Sequence, residues 1–205
     1  MKHYLMQILK KSLALAAGAM LATASMAQSQ VVKQFPASLQ WETMDLLAFN
    51  LNAPEFAGTT AQRELARSIW QPTIDAFPPG GPMGKWPAFI LLKAFESPSH
   101  RYIFSAMSAA ATAYSKCEDP INSKDLATPI YSLCPMRLVV QDKASGKSRQ
   151  QEFGHYCTIF ANDPDNPRSK NYQQVAVSQD GKTAYFRVVQ YGKPAPECNR
   201  SIRLN

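Results

Sequence analysis

Histidine is scarce in this chain of 205 residues, which contains three: His3, His100 and His155. Because His3 lies in a basic N-terminal leader, any catalysis that needs an imidazole has to use His100 or His155. The glycines form neither the G-x-x-x-x-G-K-S/T nor the G-x-G-x-x-G loop that cradles phosphates. The G-x-S-x-G elbow of serine hydrolases is also missing. The sequence therefore predicts no cofactor and points to no particular reaction.

Charged residues are few as well, at 18% of the chain, with a formal net charge of +7. Lys2, Lys10 and Lys11 supply part of that excess, and the other basic residues are spread evenly. Nucleic-acid binding needs clustered Lys and Arg, ideally interleaved with aromatic residues. The densest basic runs, 143–149 and 168–170, are typical of solvated loops. We therefore do not expect nucleic acid as a partner.

The apolar run from Ser12 to Ala24 is too short to span a bilayer, which takes about 20 residues. Lysines precede it, and small residues, Ser25 and Ala27, follow at the two positions that a signal peptidase reads. This pattern predicts a cleaved signal peptide over 1–27 and a mature chain of 28–205. An uncleaved N-terminal anchor is the alternative. We expect a periplasmic or secreted protein without stable membrane insertion after cleavage.

All four cysteines, Cys117, Cys134, Cys157 and Cys198, lie in the second half of the chain. An even number of cysteines in an exported protein indicates disulfides. We favour the pairs Cys117 with Cys134 and Cys157 with Cys198, because the first closes a short loop rich in turn-forming residues. The chain has no C-x-x-C motif, and the spacings suit zinc poorly. Neither a redox centre nor a metal site is predicted.

The first half of the mature chain has helical periodicity. A first helix is predicted from the N-cap Ser38 to about Asn52. Its apolar residues recur at helical spacing: Trp41, Met44, Leu47, Ala48 and Leu51. A second helix is predicted to begin after Thr60, with Leu65, Ala66, Ile69 and Trp70 on one side. Pro72 is expected to end or kink it.

Two following segments have apolar patterns that favour no single structure. Residues 88–95 form a continuous apolar run, which suits a buried strand or a short buried helix. Residues 101–116 alternate weakly, and their apolar residues fit a helix better. We therefore expect a helix over 101–116 and leave 88–95 open.

From Met136 onward the pattern switches to the period of two that is typical of strands. Four or five antiparallel strands are predicted, including a hairpin around Asp180-Gly181. The prediction is a single α+β domain over 28–205, with a helical part at about 38–116 and a β part at about 130–205. N-terminal helices would pack on a C-terminal β-meander held by two disulfides.

A segment rich in proline and glycine, 77–87, is predicted to be a loop. It presents Met83, Lys85 and Trp86, and it is our first candidate for a partner-binding surface. The hairpin tip at Asp180 is the second. We expect an exported binding protein that acts without catalysis, as an accessory, immunity or inhibitor factor, on another protein of the cell envelope.

Two other functions remain open at this point. One is an exported hydrolase that uses His155, which lies near Cys157 in the sequence, or His100, which lies beside a serine. The other is a small-molecule carrier, which would need an apolar cavity between the sheet and the helices. Oligomeric state is not predicted.

Overall fold

A computed structural model describes residues 29–49, 59–75, 88–109, 117–118, 131–160, 165 and 167–204. This part of the chain is mostly β, with 54% of it in strands and one helix. The strands are β1 Gln30–Val31, β2 Glu42–Thr43, β3 Asp45–Phe49, β4 Ala88–Glu96, β5 His100–Ala109, β6 Ser132–Asp142, β7 Ser148–Thr158, β8 Tyr172–Val177, β9 Thr183–Gln190, β10 Lys193–Pro194 and β11 Arg200–Arg203. The helix, α1, spans Thr60–Asp75. The expected α+β fold with N-terminal helices is therefore wrong.

The strands form two antiparallel sheets. Sheet A has the order β1-β11-β9-β8-β2, with β10 also paired to β9, and sheet B has the order β3-β4-β5-β6-β7. One hydrophobic core draws side chains from both sheets, so the sheets pack face to face. At its centre, the ring of Phe104 from sheet B meets the ring of Phe186 from sheet A edge-on at 5.4 Å. A second, smaller core lies between sheet B and α1.

The predicted alternation in the second half of the chain is confirmed. In β6 the inward residues Cys134, Met136, Leu138 and Val140 are buried, while the residues between them are partly exposed. The hairpin of β8 and β9 is present, with Gly181 at a φ of 67° in the turn. A positive φ favours glycine because a side chain would clash with the backbone there. One strand face here is buried more deeply than the other, so the period of two is visible in the sequence.

The helix predicted over 38–52 is wrong, because β2 and β3 occupy its described part. Met44 packs into the core between the sheets, whereas Leu47 packs into the core under α1. Leu47 is also paired with Ile90 of β4. Apolar residues three apart thus serve two different cores along an extended chain. In a segment this short, apolar residues that are three apart can indicate either a helix or an extended chain that packs into two cores.

The helix predicted over 101–116 is also wrong in its described part, which is β5. Tyr102, Phe104 and Ala106 face sheet A, while Ile103 and Met107 face α1. A strand that is buried on both faces has no polar face, so its sequence cannot alternate. Residues 88–95, left open by the sequence, belong to β4, which is likewise buried on both faces, with Leu91 in the main core and Ile90 and Leu92 in the core under α1.

The helix predicted after Thr60 is confirmed as α1. Its start is a capping box, in which Gln62 N–H donates to Thr59 Oγ1 at 3.2 Å and Thr59 N–H donates to Gln62 Oε1 at 2.9 Å. The helix continues through Pro72, which was expected to end or kink it. Ala66, Ile69 and Trp70 are buried against the outer face of sheet B.

Two disulfides are present, and they join Cys117 to Cys134 and Cys157 to Cys198. The second bond connects β7 of sheet B to the short 3₁₀ turn Pro196–Cys198 that leads into β11 of sheet A. It is therefore a covalent link between the two sheets. Cys157 and Cys198 are both buried in the core between the sheets.

A hydrogen bond near this link joins Tyr131 to the same 3₁₀ turn. The Tyr131 hydroxyl donates to Glu197 Oε1 at 3.1 Å. Burial, together with the Glu197 carboxylate, raises the pKa of Tyr131 from 10.0 to about 12. The protonated phenol is thus favoured more in the folded protein than in the unfolded chain. Its contribution to stability is complete below pH 10 and is lost as the pH rises through 12.

We therefore expect the free energy of unfolding to fall between pH 10 and pH 12 by more in the native protein than in Tyr131→Phe. Urea unfolding at a series of pH values measures this difference. Tyr191→Phe is the matched control, because it removes a hydroxyl from a tyrosine that is 50% exposed. Parallel profiles for the native protein and Tyr131→Phe would contradict the prediction.

Candidate functional site

Of the residues predicted to bind a partner, the structure describes Asp180 alone. Met83, Lys85 and Trp86 lie outside the described residues. Asp180 is exposed in the turn between β8 and β9. Its carboxylate accepts hydrogen bonds from Ser178 Oγ at 2.5 Å and from Lys182 N–H at 3.0 Å, which lower its pKa. The Asp180 carboxylate therefore helps to hold the hairpin turn.

A segment that we call the strap, residues 32–41, crosses the outer face of sheet A. Its position follows from the topology, because β1 pairs at one edge of the sheet and β2 pairs at the other. The chain that joins these two strands has to cross β11, β9 and β8. Aromatic contacts between the strap and β9 show that it crosses the face turned away from the main core.

The strap and β9 together build what we call the aromatic patch: Phe35, Trp41, Tyr185 and Arg187. Phe35 packs edge-on against Trp41 at 4.8 Å and against Tyr185 at 6.1 Å. The Arg187 guanidinium lies 4.2 Å from the centre of the Trp41 ring. Tyr185 and Arg187 share this face because they are two residues apart on one strand. All four side chains are partly exposed.

Arg187 is held in place from a second direction. Its Nε donates to Gln174 Oε1 at 2.8 Å, on the neighbouring strand β8. Burial lowers the pKa of Arg187, and the Tyr172 side chain acts in the opposite direction. The guanidinium is thus partly dehydrated and fixed between a ring and an amide. A side chain that is ordered in this way loses little further entropy when a partner binds.

Two grooves flank α1 on the outer face of sheet B. The larger, which we call the helix groove, has a volume of about 470 Å³ and lies toward β6 and β7. The smaller has a volume of about 260 Å³ and lies toward β3 and β4. Leu65 and Arg101 line both grooves. The helix groove falls in the size range of small-molecule sites, about 300–1,000 Å³.

His100, one of the two histidines considered for catalysis, contacts a serine and a carboxylate. Ser99 Oγ lies 2.8 Å from His100 Nδ1, and Asp142 Oδ2 lies 3.7 Å from His100 Nε2. The second distance exceeds that of a hydrogen bond. Ser145 hydrogen bonds lower the pKa of Asp142 and use its other oxygen. The sequence did not identify Asp142, because β5 and β6 bring it to His100 only through pairing.

His155, the second histidine, lies on β7, with its Nδ1 4.0 Å from Glu118 Oε1. A thiol–imidazole pair with the nearby Cys157 would require a free thiol. As predicted, that sulfur is bonded to Cys198, so Cys157 supplies no thiolate to His155.

Sequence patterns alone do not identify the residues of the aromatic patch. Trp41 fits the core face of the helix predicted over 38–52, and no motif singles out Phe35, Tyr185 or Arg187. Outward alternation in β9 was the available signal, because it places Tyr185 and Arg187 opposite the buried Phe186. It could not show that the strap lies over them.

Within the described ranges, no group of three or more His, Cys, Asp or Glu side chains is placed to hold a metal ion. No helix in that part of the chain is long and apolar enough to cross a membrane. Compared with known proteins, the chain matches no family model, no curated protein and no solved structure.

Proposed function

We propose that this is an exported binding protein that contacts another protein of the cell envelope through the aromatic patch. Its role would be that of an accessory, immunity or inhibitor factor. The observation that carries the proposal is the placement of Trp41, Tyr185 and Arg187 together on one partly exposed sheet face. Tryptophan, tyrosine and arginine are the residue types most enriched among binding hot spots.

The rigidity of the patch supports the same function. Binding costs free energy when mobile side chains become ordered, at about 0.5–1.5 kcal/mol for each long side chain. Arg187 already packs against the Trp41 ring and is hydrogen-bonded to Gln174 before any partner binds. An arginine that is presented in this way can offer its remaining N–H groups to a carboxylate or a carbonyl of the partner.

Disulfides and the N-terminal leader support the exported setting. Structural disulfides form and persist in oxidising compartments such as the periplasm. Both bonds in this chain involve the mature part, which follows the predicted cleavage site at Ala27. We therefore place the partner in the same compartment.

The test is capture of partners from envelope extract on immobilised, oxidised protein, followed by affinity measurement with the purified partner. Trp41→Ala and Arg187→Ala are each expected to weaken binding by about 30-fold or more, the effect of a hot-spot residue worth about 2 kcal/mol. The matched control for the arginine is Arg149→Ala, an exposed arginine on sheet B.

Trp86→Ala separates the aromatic patch from the proline- and glycine-rich segment that the sequence favoured. If only Trp86→Ala loses binding to the partner, the binding hot spot lies in that segment and not in the aromatic patch. Unchanged binding in Trp41→Ala and Arg187→Ala would contradict the proposed site. If no partner is captured by any form of the protein, hydrolase activity compared between the native protein, His100→Ala and His155→Ala becomes the next test.

A further inference from the structure

The helix groove combines an apolar floor with basic residues. Its apolar lining consists of Leu65 and Ile69 of α1, Ile103 of β5 and Val139 of β6. Serine and glutamine side chains line its rim. The lining includes Arg101 and Arg149 and, within the described ranges, no aspartate or glutamate. A groove of this kind suits a ligand with an apolar body and a negative end.

Arg101 is the group that would meet that negative end. Its Nε is buried and has no hydrogen-bond partner, although it lies 3.2 Å from Glu96 Oε1. A buried N–H that makes no hydrogen bond costs free energy. The side chain as a whole is 39% exposed and lines the groove. The ion pair with Glu96 therefore leaves the cation incompletely satisfied.

Glu96 has a second cation available. Its Oε2 lies 2.6 Å from Lys143 Nζ, whereas Arg101 lies nearest Oε1. Lys143 does not line the helix groove. When an anion takes up the guanidinium of Arg101, Glu96 keeps Lys143 as its partner. The exchange leaves no carboxylate without a counter-ion.

We propose that the helix groove binds a monocarboxylate with an apolar chain. The carboxylate pairs with Arg101, and the chain lies between α1 and the exposed face of β6, along Leu65, Ile69 and Val139. A planar carboxylate matches the planar fork of a guanidinium and forms charge-assisted hydrogen bonds with it. The proposal does not rest on the proposed function, because the aromatic patch belongs to the other sheet.

The experiment measures binding of dansylundecanoic acid, whose fluorescence reports transfer into an apolar site, to the full oxidised protein. Decanoate, decanol and decyltrimethylammonium then compete with this probe. We expect decanoate to compete at least about tenfold more strongly than decanol or the cation, since a charge-assisted hydrogen bond is about twice as strong as a neutral one.

Arg101→Met keeps the apolar stem of the side chain and removes its charge. We expect it to weaken decanoate binding by about tenfold or more and to leave decanol binding unchanged. Lys147→Met is the matched control, because it removes an exposed cation that neither lines the groove nor pairs with Glu96, and it should change the affinity less than about twofold. Val139→Asp, which places a carboxylate in the floor of the groove, should abolish decanoate binding.

Several results would overturn the proposal: no binding of the probe by the native protein, equal competition by decanoate and decanol, or equal losses in Arg101→Met and Lys147→Met. Circular dichroism shows whether each variant is folded. If Arg101→Met does not fold, the comparison of decanoate with decanol on the native protein still decides the role of charge. Trp41→Ala should bind decanoate normally, which separates this site from the aromatic patch.

Discussion

Replacement of Cys157 and Cys198 together by alanine is expected to lower the free energy of unfolding by about 4 kcal/mol. The bond closes a loop with a sequence separation of 41, and the loop-entropy model assigns about this value to a loop of that length. Both cysteines are buried, so alanine avoids the burial of a new hydroxyl group. The loss is a large fraction of the 5–15 kcal/mol that holds a typical domain folded. Urea unfolding of the oxidised proteins measures it.

The control for this variant is the corresponding double replacement of Cys117 and Cys134. Their sequence separation is 17, for which the same model gives about 3 kcal/mol. The difference should also show in cooperativity, because only the longer bond joins sheet A to sheet B. A smaller loss for the Cys157 and Cys198 pair than for the Cys117 and Cys134 pair would contradict the prediction.

The second large effect is expected at Trp70, whose replacement by alanine should cost about 3–5 kcal/mol. Trp70 is fully buried between α1 and sheet B. Its Nε1 donates to Ser105 Oγ at 2.7 Å, and the Arg137 guanidinium lies 4.2 Å from the centre of its ring. Alanine therefore leaves a cavity and leaves the buried Ser105 hydroxyl without its hydrogen-bond donor. It also removes the aromatic ring on which the Arg137 guanidinium packs. Urea unfolding followed by far-ultraviolet circular dichroism gives the loss.

Two variants separate these contributions. Trp70→Phe retains most of the ring and leaves Ser105 unpaired, so we expect it to cost about 1–3 kcal/mol. The double variant Trp70→Phe with Ser105→Ala removes both partners and should regain part of that loss. Trp41→Ala, in the partly exposed aromatic patch, should cost clearly less than Trp70→Ala. Equal losses for the two tryptophans would mean that α1 contributes little to stability.

Local sequence signals were sufficient where a segment has one buried face. α1 begins at Thr59 and Gln62, which cap it reciprocally, and its apolar residues lie on one side. β6 and β9 alternate because each has one face in the main core. In these elements the spacing of apolar residues in the sequence predicts which residues are buried.

The same signals failed where a segment is buried on two faces. β4 and β5 lie between sheet A and α1, so both of their faces are apolar and the period of two disappears. In β3, Leu47 serves the core under α1 while the preceding Met44 serves the main core. Tertiary packing determines whether one or both faces of a strand are covered by another layer. It therefore determines whether apolar and polar residues alternate in the sequence of that strand.

The sequence by itself determined the cysteine content, the predicted leader, the strands of the second half and helix α1. Only the tertiary structure decided that the first half is largely β, that Asp142 meets His100, and that the strap carries Trp41 onto Arg187. The physical reason is distance along the chain. Capping and alternation act between near neighbours, whereas both candidate sites are built by strand pairing and layer packing between residues that are far apart in sequence.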